Sequence, residues 1–96
     1  MAKVLVSSAA EGDYADALCW YAERSVQVAE QFEAEFAATL DTIGSDPERF
    51  PLLDDRHRYY LMRRYPFQVI FRLHGEDVLV IAVAHAKRKP LYWADR

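Results

Sequence analysis

The stretch Val78–Ala84 reads VLVIAVA, an apolar run with no polar residue in it. A strand with one face in water alternates apolar and polar residues. An unbroken run rich in β-branched residues instead implies a strand covered on both faces. It is far shorter than the roughly 18–20 residues needed to cross a membrane. Leaving it at a sheet edge would expose an apolar strand ready to pair with another chain. The run is therefore predicted to be the centre of a sheet, and the remaining residues have to cover both of its sides.

Much of that cover is readable. Lys3–Ser7 (KVLVS) is short and β-branched, as a first strand is. Ser8 and Glu11 match a capping box, and Tyr14, Ala17, Leu18, Tyr21 and Ala22 recur at helical spacing to about Glu23 or Arg24. Ser25 is placed to cap a second helix with an apolar stripe of Ala29, Phe32, Phe36, Leu40 and Ile43. Gly44, followed by Pro47, is read as its stop. So short a connection makes the pair an antiparallel αα-hairpin. Residues 51–58 read as a loop, 59–64 and 66–73 as strands, and His74–Asp77 as a turn. The expected class is α+β in the order β-α-α-β-β-β: an N-terminal strand, the hairpin, then a three-stranded antiparallel sheet, with residues 1–96 forming one domain.

The net charge of −3 conceals a division. Residues 1–55 carry a net −9 and residues 56–96 a net +6. That asymmetry points to a polyanionic partner on the basic side, or to acidic helices facing water beside a basic sheet. The N-terminus lacks the apolar core of a signal peptide, so the expected location is intracellular. The single Cys19 falls on the apolar side of the first helix and is expected to pack there.

Several chemistries have no motif: no Gly-rich phosphate loop, no Cys pair, no His-Glu-x-x-His and no nucleophile elbow. His57, His74 and His85 share no short ligand spacing, so neither metal nor cofactor is expected. The candidate residues are the cations and aromatics of the second half. Arg63, Arg64, His85, Arg88 and Tyr92 would form the catalytic set of a nuclease. Arg56, Arg58, Arg72, Lys87, Lys89 and Trp93 would contact a target. Metal-free RNA cleavage needs a base for the 2′-hydroxyl, cations for the phosphorane and an acid for the 5′-oxygen, and these residue types supply all three.

The segments ALCWYAERSVQVAEQFEAEF, DPERFPLL, RRYPFQVIFRL and VIAVAHAKRKPLYW, in this order of elements, resemble the RelE/ParE toxin superfamily, most closely its ParE-like, plasmid-stabilisation members. The resemblance implies the toxin of a bacterial type II toxin–antitoxin pair, cytoplasmic and neutralised by a small protein antitoxin. Its ParE-like branch poisons DNA gyrase; its RelE-like branch cleaves mRNA on the ribosome without metal. A third reading is a non-toxic member that only binds its antitoxin. RelE-like nucleases carry an arginine in the middle strand where this chain has Gln68, which supplies no permanent cation. Arg88 and Tyr92 match the family's basic-plus-tyrosine element, and His85 lies near the terminal histidine of some relatives. Arg63 and Arg64 would replace the missing charge, while Arg56, His57 and Arg58 correspond loosely to a basic region of RelE. The Gln68 departure favours the gyrase-directed reading over the nuclease.

Overall fold

The computed structural model describes residues 2–87 and 90–96. Strand β1 (Val4–Val6) leads into helices α1 (Ser8–Arg24) and α2 (Val26–Ser45) and a 3-10 turn at Pro47–Arg49. Strands β2 (His57–Leu61), β3 (Phe67–His74) and β4 (Asp77–His85) follow. The sheet order is β1-β4-β3-β2, so β4 is internal, as its apolar run requires. β2, β3 and β4 pair antiparallel, but β1 joins β4 in parallel, making the sheet mixed.

Two serines organise the hairpin. The cap of α1 is Ser7, one residue before the expected Ser8, and its hydroxyl accepts the Ala10 N–H at 3.1 Å. Ser25 closes α1 by donating its N–H to the Tyr21 carbonyl and opens α2 by accepting the Val28 N–H on its hydroxyl. Such caps contribute about 1 kcal/mol each. Gly44 lies inside α2 rather than ending it. A Cβ there would approach Val4 Cγ2 to 3.0 Å and the Ala2 carbonyl oxygen to 3.1 Å. The glycine thus lets β1 cross close to the helix, and the Ala2 N–H donates to its carbonyl. Gly75, with φ of 64°, makes the β3–β4 turn.

The hairpin covers one face of the sheet. Phe32 is fully buried among Tyr14, Tyr21, Tyr65 and Phe67, with ring centroids 5.0–5.6 Å away. Val69, Phe71, Val78, Val80 and Val83 meet this layer from the sheet. A bulge then divides β4: Phe71 sits opposite Val80 but Ile70 opposite Ala82, leaving Ile81 as the extra residue. Ile81, Ala82 and Ala84 join Ile70 in a second cluster, which Trp93 closes. The second face of the sheet is thus covered partly by the chain's own C-terminal segment. Cys19, expected to pack, is exposed, because the buried stripe of α1 runs through Ala10, Asp13 and Ala17.

Candidate target-binding surface

β1 pairs with β4 only from Val78 to Val80, so β4 overhangs it from Ile81 to His85. A bare strand edge leaves donors and acceptors unpaired. Here side chains occupy them. The Asp13 carboxylate, buried on α1, accepts the Val83 N–H at 3.1 Å, the Tyr92 hydroxyl at 3.0 Å and Arg96 Nη1 at 2.7 Å. Arg96 Nη1 also donates to the Ile81 carbonyl, and the Arg72 guanidinium donates to the Arg96 carbonyl. Hydrogen bonding to Asp13 raises the pKa of Arg96, so its charge is permanent. Nothing in the sequence marked Asp13 beyond an acid on a helix's apolar stripe.

Two grooves flank this overhang. One, of about 480 Å³, lies between α1 and β4 and is lined mainly by Ala17, Trp20, Tyr21, Phe67, Val83 and His85. Trp20 is 53% exposed there, with the Arg24 guanidinium 3.7 Å over its ring. The other groove holds Gln68, His85, Tyr92 and Trp93. His85 Nδ1 accepts the Lys87 N–H at 3.0 Å, which leaves the imidazole proton on Nε2 and that nitrogen a donor. Arg63 and Arg64 line a separate cleft of about 640 Å³ against α2. Their backbone N–H groups both donate to Glu35 Oε2, at 2.9 and 3.3 Å, so the β2–β3 turn is pinned to the hairpin while both side chains stay exposed.

The remaining candidates divide by what they touch. Arg58 donates to the Glu48 and Phe50 carbonyls and staples β2 to the 3-10 turn. Arg72 is engaged by the C-terminal segment, and Trp93, only 5% exposed, packs rather than stacks. Arg56 and Lys87 are exposed. Arg88 and Lys89 lie outside the described residues. His57, 3% exposed, sets its ring edge-on to Trp93 and shares its Nδ1 proton with Asp54 at 2.8 Å. The N–H groups of Arg56 and His57, with that ring, hold Asp54 down to about 2 from 3.8. No group of three potential metal ligands occurs among the described residues. No helix among them is long and apolar enough to cross a membrane.

With this geometry in place, comparison with known proteins decides the family. The model described as ParE toxin of type II toxin-antitoxin system, parDE, matches residues 4–90. The chain belongs to the ParE toxin family. A solved structure described as "Chromosomal ParDE TA system from P. aeruginosa" superposes with a TM-score of 0.73 at 14% identity. The match covers 91% of this chain and 98% of that one. At that identity the likeness establishes the shared fold. No curated protein matches the sequence. In this ParE-family chain, Gln68 of β3 lines the same groove as His85 and Tyr92.

Proposed function

We propose that this single-domain, cytoplasmic ParE-family protein acts on DNA gyrase as a binding toxin, and that a small partner antitoxin holds it inactive. The observation that carries the choice of target is the content of the Gln68–His85–Tyr92 groove. Its strand β3 contributes Gln68, a neutral side chain, and the Tyr92 hydroxyl is committed to Asp13. The Nδ1 lone pair of His85, which a general base would use, is committed to the Lys87 N–H. A pentavalent phosphorane needs a desolvated cation at contact distance, and such groups supply several kcal/mol to catalysis. This arrangement favours recognition over RNA cleavage. The apolar groove between α1 and β4 suits an apolar segment of the antitoxin, which would order on binding.

Induced expression of this protein alone, followed by gyrase supercoiling assays and mapping of mRNA 5′ ends, tests the proposal. The expected result is growth arrest with impaired supercoiling, no new mRNA ends, and rescue by an adjacently encoded antitoxin. New mRNA ends with normal supercoiling would replace this reading with the RelE-like one. Unimpeded growth with folded protein present would leave a non-toxic antitoxin binder.

A further inference from the structure

We infer that residues 91–96 form a strap latched by the Asp13–Arg96 pair, and that the strap opens as a local unit without unfolding the sheet or hairpin. Three features place the latch. Arg96 grips Asp13 through both terminal nitrogens, at 2.7 and 3.3 Å, and bonds the Ile81 carbonyl at 3.0 Å. Its guanidinium also lies 4.8 Å over the Tyr92 ring, binding the strap to itself. Asp13 in turn completes the overhanging edge of β4 by accepting the Val83 N–H. Arg96 therefore ties the strap both to α1 and to the strand edge, so losing its guanidinium frees the strap from both at once.

Two features oppose closure. Leu91 takes a φ of 62°, a left-handed conformation that costs any non-glycine residue. His57 Nε2 is buried beneath the strap with no hydrogen-bond partner, whereas opening would return it to water. The closed strap thus balances a strong latch against an unpaired buried atom and a strained turn. Most of the sheet does not depend on it: the ladders β2–β3 and β3–β4 and the hairpin core are built from other residues. The open state bares the Ile81 carbonyl on the β4 edge together with the apolar strip of Ile70, Ala82 and Ala84.

The Ala94 amide is the direct reporter, because its hydrogen bond to the Leu91 carbonyl lies within the strap, whereas Asp13 on α1 holds the Val83 N–H whether the strap is closed or open. Amide hydrogen exchange on the full chain compares wild type with Arg96→Ala and Arg96→Lys, using Phe32 and Val69 as core references. In Arg96→Ala, Ala94 exchange is expected to accelerate at least about 10-fold while both references stay unchanged. Arg96→Lys, which keeps one charge but not the fork, should fall between the two. In a Trp20→Phe background, acrylamide quenching of Trp93 should rise in parallel. An unchanged Ala94 rate overturns the latch. Equal acceleration of Ala94, Phe32 and Val69 overturns local opening.

Discussion

Replacing Trp93 with alanine separates a packing tryptophan from a target-contacting one. An aromatic side chain of this kind buries about 150–250 Å². At about 25 cal/mol per Å² that is roughly 4–6 kcal/mol as an upper bound. Alanine recovers part of the contact, and the C-terminal segment is free to settle into some of the space over Ile70, Ile81 and Ala82. A loss of about 3 kcal/mol follows, at the low end of large-to-small aromatic substitutions. For a chain of this size that lowers Tm by about 12–24 °C. Urea unfolding followed by far-UV circular dichroism reads the change, and Trp20 remains as an independent fluorescent probe. Any loss of toxicity should then track the loss of folded protein, and Trp93→Phe should restore part of both. A cost below about 0.5 kcal/mol, the value for an unremarkable surface substitution, would refute the burial argument. Trp93 would then be available to a target after all.

Two further predictions concern the anchored loops. Glu35→Ala removes the acceptor that both Arg63 and Arg64 N–H groups share, and should cost about 1–2 kcal/mol. Faster amide exchange at Arg63 and Arg64 would accompany that cost, and unchanged exchange there would count against the pinned turn. Because the fold depresses Asp54 from 3.8 to about 2, its contribution is present above pH 3.8 and disappears as pH falls from there through about 2. A carbon-detected titration of the Asp54 carboxyl should show its midpoint near 2, and a midpoint near 3.8 would mean the 51–57 loop is not closed around it.

What was legible from the residues alone was set by local rules. An unbroken apolar run demands two covered faces, so the internal place of β4 followed from Val78–Ala84 without knowledge of the fold. Ser25 marked the joint between two helices because a hydroxyl there satisfies orphan N–H groups, and the stripe through Phe32 and Phe36 showed which side of α2 faces the core. Features that depend on residues far apart in sequence were not readable. Gly44 looks like a helix stop until β1 is seen crossing it, since only a close approach distinguishes the two uses of glycine. Asp13 and Arg96 become partners only because β4 outruns β1 and leaves an edge that needs filling. The separation of Arg63 and Arg64 from the His85–Tyr92 groove arises because Glu35 pulls the β2–β3 turn towards α2. Charge and period are properties of a sequence, whereas which charges meet depends on which strand ends the sheet leaves open.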